Sequence, residues 1–167
     1  MIGRSVSLIV IALSMAAVGG AAQPEPAGGI GGVGTPVVGT LRLDKKAYAP
    51  TDKIKLTITF KNTSKSEVKL MFNSGMKYDI EIRKGKSTTG EVVWQWSRGR
   101  MFIQMITNNT LEPGKSLTFT EIYNPTEKTA DGKPGHALDT GTYTATGILA
   151  LGGRAPRPRA QATFNVK

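Results

Sequence analysis

Residues 53–61 read KIKLTITFK, and their pattern indicates the fold class. Apolar side chains alternate strictly with lysine and threonine; the apolar set is Ile54, Leu56, Ile58 and Phe60. A period of two places successive side chains on opposite faces of a β-strand. We therefore expect a half-buried strand whose four apolar side chains face a core.

The same alternation recurs on both sides of this stretch. Residues 68–72 and 78–83 repeat it, and in the second of these Asp79 and Glu81 fall on the solvent face. Further strands are predicted at residues 40–44, 91–96, 101–111, 116–123, 142–151 and 160–166. Turn sequences separate them, and no 3.6-residue apolar stripe follows residue 22. The pattern predicts an all-β fold, an immunoglobulin-like antiparallel β-sandwich of eight or nine strands, with a barrel as the alternative.

The N-terminus is typical of an export signal. In residues 1–22 a charged Arg4 precedes an apolar run and the small residues GGAA, which suit a cleavage site after Ala22. A retained anchor is the alternative, but the run of about 14 residues is shorter than the roughly 20 that span a bilayer. Residues 23–37 read as a Gly/Pro-rich flexible linker and residues 38–167 as the folded domain. We expect a secreted, periplasmic or envelope protein without a membrane span after cleavage.

Composition excludes several kinds of chemistry. The 167 residues contain no cysteine and a single histidine, His136. Disulfides, thiolate zinc sites, cysteine nucleophiles and sites that need two histidines are therefore excluded. Ser66-Glu67-Val68-Lys69 matches S-x-x-K by letters, but a strand would place the serine and the lysine on opposite faces. We expect no enzyme activity, no metal and no cofactor.

The chain is strongly basic, with 22 Lys and Arg against 12 Asp and Glu, a net charge of +10. Lysines lie on the predicted solvent faces and loops at positions 53, 55, 61, 65 and 69, and residues 152–159 (GGRAPRPR) add three arginines. Such a surface suits an anionic cell-surface polymer or an acidic protein. Since no nucleic-acid motif or stacking platform accompanies it, specific nucleic-acid binding is not expected.

Residues 91–104 (EVVWQWSRGRMFIQ) are the most unusual part of the chain. Trp94 and Trp96 are its only tryptophans, and at positions i and i+2 they share one strand face. Two indoles in the core are one interpretation, and an aromatic and arginine patch that binds a protein is the other. The candidate partner-binding residues are Trp94, Trp96, Ser97, Arg98, Gly99, Arg100, Met101 and Phe102, together with Arg154 and Arg157.

The pattern Trp94-Gln95-Trp96-Ser97, followed by Gly99 and Phe102, resembles the signature of the BsuPI-type intracellular proteinase inhibitor family. Four other segments resemble family landmarks in the same order: residues 56–62 (LTITFKN), 74–80 (SGMKYDI), 111–117 (LEPGKSL) and 141–143 (GTY). The resemblance implies an immunoglobulin-like β-sandwich that binds and inhibits a proteinase.

An export signal departs from an intracellular family, because an exported copy cannot restrain a cytoplasmic proteinase. Either the target is exported as well, or the domain has another binding role. Residues 97–101 and 152–159 are the candidate contact loops. Arg98, Arg100 and Arg154 would suit an acidic specificity pocket and Met101 an apolar one, while docking of the sheet face is a competing mechanism. An adhesion module that binds anionic polymer and an accessory module that pairs through a sheet edge are the other hypotheses.

Overall fold

The computed structural model describes residues 36–128, 132, 135, 137–154 and 156–167. The predicted signal peptide, most of the predicted linker and His136 lie outside these residues. The described chain is built from strands, and it contains no helix that is long and apolar enough to cross a membrane. The all-β prediction is confirmed.

The described residues form ten strands, one or two more than predicted. They are β1 (Val37–Leu43), β2 (Ala47–Tyr48), β3 (Ile54–Asn62), β4 (Val68–Phe72), β5 (Tyr78–Lys84), β6 (Val92–Gln95), β7 (Thr107–Leu111), β8 (Ser116–Tyr123), β9 (Gly141–Leu149) and β10 (Arg159–Val166). The prediction of one strand over residues 101–111 is wrong in its first half, since only Thr107–Leu111 is a strand. Residues 101–106 run irregularly before it.

The strands form a β-sandwich. One sheet has the order β1-β3-β8, the second has the order β2-β10-β9-β5-β6, and β4 pairs with β7 as a separate two-stranded ribbon. Every pairing is antiparallel except the short parallel contact between β2 and β10. Strands β6 and β8 are edge strands of the two main sheets.

The core confirms the alternation in β3. All four apolar side chains of this strand are buried, and they belong to one apolar cluster with residues of β5, β9 and β10. The sheets approach closely at Gly147 of β9, where an added Cβ would lie 2.4 Å from the Cγ2 atom of Ile58. Glycine at this position therefore sets the distance between the sheets, because a side chain would push β3 away.

A buried asparagine holds the end of β3 to the ribbon. Asn62 is fully buried, and its side-chain amide donates to the carbonyl oxygens of Ser66 and Leu111, each at 2.8 Å. Its Oδ1 accepts bonds from the backbone N–H and the hydroxyl of Ser64, at 2.9 and 2.8 Å. The amide thus replaces a sheet ladder where the chain leaves β3.

Candidate protein-binding site

Strand β6 carries the tryptophans at the edge of the five-stranded sheet. Trp94 is the register partner of Ile82, and the backbone N–H of Trp96 donates to the carbonyl of Ile80 at 2.8 Å. Side chains of directly paired residues share a sheet face, so both indoles lie on the face of the buried Ile80 and Ile82. Both indoles therefore pack against the core, and each remains partly exposed because β6 is an edge strand.

Trp94 contacts the opposite sheet directly, whereas Trp96 is linked to it through Tyr78 of its own sheet. Trp94 meets the ring of Tyr123 edge-on, with centroids 5.6 Å apart. Trp96 stacks on Tyr78 at 4.4 Å, and Tyr78 stacks in turn on Phe119 of β8 at 4.1 Å. The Nε1 atom of Trp96 is buried without a hydrogen-bond partner among the described residues. The ring therefore contributes through its buried apolar area and its aromatic contacts.

Ser97 is fixed by a carboxylate on β5. The hydroxyl and the backbone N–H of Ser97 donate to Asp79 at 2.6 and 3.1 Å, and the amide of Gln95 donates to the same carboxylate at 2.6 Å. Asp79 lies on the outer side of β5, as the alternation predicts, but it is half-buried by these partners. The serine therefore holds the turn in place, and sequence reasoning missed the part played by Asp79.

Arg100 lies on the indole of Trp96. Its guanidinium carbon is 4.7 Å from the ring centre, and its Nε–H donates to the Trp96 carbonyl at 2.9 Å. Gly99, with a φ of 75°, closes the turn so that the N–H of Arg100 reaches the carbonyl of Ser97 at 3.1 Å. Positive φ favours glycine, which explains this residue in the turn. The side chain of Arg98 stays in solvent.

Residues 101–106 (MFIQMI), here named the apolar segment, present apolar side chains to water. The exposed fractions are 99% for Met101, 75% for Ile103, 54% for Met105 and 66% for Ile106. Phe102 points the other way and packs on Trp96 with centroids 5.6 Å apart. The carbonyl of Ile103 accepts a bond from the N–H of Gly75 at 2.8 Å. Contiguous exposed apolar side chains of this kind mark interaction sites in soluble proteins.

A cleft of about 130 Å³ lies beside the turn, between β6 and the end of β8. Its lining includes the rings of Trp94, Trp96 and Tyr123, with Arg98 and Arg100 near them. Burial, with a smaller contribution from nearby Tyr143, raises the pKa of Tyr123 to about 12, so this phenol is neutral at pH 7. The cleft therefore offers an aromatic floor beside cationic groups.

The structure separates the predicted residues into two groups. The eight from Trp94 to Phe102 lie in one segment, in which Arg100 and Phe102 contact the Trp96 ring, while Met101 is exposed. Arg154 and Arg157 are exposed on the loop between β9 and β10, whose Gly152 N–H donates to the carbonyl of Met71 in β4 at 2.9 Å. That loop is therefore anchored to the ribbon rather than to the turn. Within the described ranges no cluster of three metal-ligating side chains occurs.

A family model described as BsuPI, intracellular proteinase inhibitor, matches residues 41–153 of the chain. This range contains the whole of strands β2 to β9 and all of residues 94–102. No curated protein matches the chain.

Several solved structures are similar at low identity. A β-glucosidase from Erythrobacter marinus, EmGH1, is 12% identical with a TM-score of 0.42, over 76% of this chain and 15% of its own. The sporulation control protein Spo0M from Bacillus subtilis is 13% identical with a TM-score of 0.41, over 79% of this chain and 49% of its own. The C-terminal domain of wzt is 10% identical with a TM-score of 0.46, over 87% and 80%. This chain thus spans less than half of the first two proteins.

Proposed function

The chain belongs to the BsuPI family of intracellular proteinase inhibitors, and we propose that it is an exported inhibitor that docks residues 97–106 in the cleft of a serine proteinase. The family is one of inhibitors and not of catalysts, so the protein is not an enzyme. The observation that carries the proposed docking mode is the apolar segment, which holds four exposed apolar side chains beside a fixed aromatic cluster.

Rigidity supports this mode of docking. Ser97 is bonded to Asp79, Arg100 to the Trp96 carbonyl and Ile103 to Gly75, so the loop is tied at its start and at two points within it. Proteinase–inhibitor complexes form with little change in interface backbone, and a loop that is already ordered loses little entropy on binding. An ordered loop that displays apolar side chains meets both requirements.

Export is proposed from residues 1–22, whose pattern is that of a signal peptide. An exported inhibitor would act on proteinases of the envelope or the medium. Mass spectrometry of the protein recovered outside the cytoplasm tests this, and the expected N-terminus is Gln23. An intact N-terminus on protein that stays in the cytoplasm would contradict export without touching the inhibitory role.

Inhibition itself is tested by titrating subtilisin-like, chymotrypsin-like and trypsin-like serine proteinases with the purified full-length chain. Residual activity should fall linearly to zero near one equivalent for at least one class. A variant with Ile103→Ser and Ile106→Ser should weaken inhibition more than tenfold, since buried apolar side chains dominate such interfaces. Met71→Ser, which changes a 40% exposed side chain on β4, is the matched control and should leave inhibition unchanged. A folded wild-type protein that inhibits none of the panel would refute the proposal.

A further inference from the structure

We infer that Met101 is the side chain that enters the primary specificity pocket of the target, and that this pocket is apolar. The inference rests on the proposed inhibitory function and names the contact through which it works. Met101 is 99% exposed, the largest value among the exposed large apolar side chains of the described residues.

The two neighbours of Met101 are held by the same ring. Arg100 lies over the Trp96 indole at 4.7 Å and bonds to the Trp96 carbonyl, while Phe102 packs on that indole at 5.6 Å. With both flanking side chains turned toward Trp96, the side chain between them projects away from the protein. The contacts of Arg100 and Phe102 with Trp96 are here named the clamp, and they hold the side chain of Met101 outward.

The clamp rests on the scaffold and not on the loop alone. The backbone N–H of Trp96 donates to the carbonyl of Ile80 in β5, and the indole of Trp96 stacks on Tyr78. On the other side of Met101, the Ile103 carbonyl is held by the N–H of Gly75. Residues on both sides of Met101 are thus tied to other parts of the domain, which is the preorganisation that a docking side chain needs.

The arginines of the loop fit the role less well. The guanidinium of Arg100 is already engaged by Trp96. Arg98 sits inside a closed turn, with its N–H bonded to the Gln95 carbonyl at 3.2 Å and Gly99 next to it at positive φ. The backbone of Arg98 is thus held inside the turn, whereas Met101 lies after it. An acidic primary pocket is therefore not the expected match, whereas an apolar one accommodates the unbranched thioether of Met101.

Substitutions at Met101 test the inference by changing the class of proteinase that is inhibited. Met101→Leu should keep inhibition of an apolar-pocket proteinase within about threefold, because the two side chains have similar volumes. Met101→Asp should weaken it by roughly 100-fold or more, since the carboxylate would be buried unpaired. Met101→Lys should transfer inhibition toward a trypsin-like proteinase. Met105→Asp places the same charge at a 54% exposed position in the same segment and should cost much less.

A second measurement reports the contact without relying on potency. During prolonged incubation with the inhibited proteinase, slow hydrolysis should break the Met101–Phe102 peptide bond, with one water yielding a carboxylate on Met101 and an amine on Phe102. Mass spectrometry of the two fragments identifies that bond.

The outcomes separate the two hypotheses. If wild type inhibits but Met101→Asp inhibits equally and no cleavage follows Met101, the inference is overturned and the inhibitory function stands. If folded wild type inhibits none of the three classes in the panel, the proposed function fails and the inference fails with it.

Discussion

The carboxylate of Asp79 accepts two hydrogen bonds from Ser97, one from the backbone N–H at 3.1 Å and one from the hydroxyl at 2.6 Å. The two residues are 18 positions apart, on β5 and just after β6. This contact fixes where the chain leaves the sheet and turns toward Met101. Since it ties the turn to the scaffold, the order of the loop depends on it.

Asp79→Ala should therefore lower inhibition more than it lowers stability. Loss of the carboxylate leaves the donors of Ser97 and Gln95 without this acceptor, at a cost of about 1–3 kcal/mol in the free energy of unfolding. Inhibition should weaken more than tenfold because the turn loses its anchor. Denaturant unfolding and proteinase titration measure the two effects, with Glu112→Ala in an exposed turn as the control. Equal potency in the two variants would show that the turn is ordered without Asp79.

Removal of the ring of Trp96 should lower the free energy of unfolding by more than Asp79→Ala does. Trp96→Ala takes away the surface on which Tyr78, Arg100 and Phe102 pack, and large-to-small changes of this kind cost about 3–5 kcal/mol when buried. The cost here should fall near the lower end, because the residue is partly exposed. Trp96→Phe should retain most of the stack and much of the inhibition. If Trp96→Ala inhibits as well as Trp96→Phe, the hypothesis that contacts with Trp96 hold Met101 outward is wrong.

Asn62→Ala tests the scaffold apart from the site. Four hydrogen bonds of a fully buried amide are lost, so we expect a loss of about 2–4 kcal/mol in stability. Inhibition per folded molecule should not change, since Asn62 lies at the end of β3, among the residues that join it to the ribbon. Asn108→Ala, at an exposed position of β7, is the control and should be close to neutral. A potency change in folded Asn62→Ala would contradict the separation of scaffold and site.

The raised pKa values of the tyrosines predict that the folded protein loses stability at alkaline pH. Burial is the largest cause that raises the pKa of each of the four: Tyr48, Tyr78, Tyr123 and Tyr143. For Tyr123 the folded value is about 12, against an ordinary value of 10.0. Between these values the unfolded chain has released a proton that the folded chain keeps, so stability is unaffected below about pH 10 and falls as pH rises toward 12.

Ultraviolet titration of the phenolates checks this expectation. The native protein should show no tyrosine ionising with an ordinary pKa, whereas the chain in guanidinium chloride should titrate near 10. Tyr123→Phe should flatten the dependence of the unfolding midpoint on pH above 10. A native phenol that titrates near 10 would contradict the burial of these rings.

Oxidation of Met101 should abolish inhibition without unfolding the protein. Met101 and Met105 are 99% and 54% exposed, and the chain has no cysteine to compete for the oxidant. Dilute peroxide transfers one oxygen to a thioether sulfur and leaves water, which makes the side chain polar. Inhibition should fall as Met101 sulfoxide accumulates, followed by peptide mass spectrometry, while circular dichroism stays constant. Met101→Leu should resist the treatment, and a loss of inhibition at the same rate in this variant would place the sensitive methionine elsewhere.

The class of fold and the faces of its strands follow from the amino-acid pattern alone. Alternation in KIKLTITFK puts Ile54 and Phe60 in the core, and the spacing of Trp94 and Trp96 puts them on one face, because a period of two is a local property of extended backbone. The family pattern identified the segment that carries the proposed site.

The conformation of that segment depends on contacts with distant parts of the chain. Residues 101–106 have the composition of a strand, but the chain there contacts Trp96 and Gly75 instead of pairing in a ladder, and so its apolar side chains face water. The alternation predicts that Asp79 is a solvated acid, because its partner Ser97 comes near only when β6 pairs with β5. Contacts between residues distant in the chain follow from strand pairing, which alternation alone does not specify.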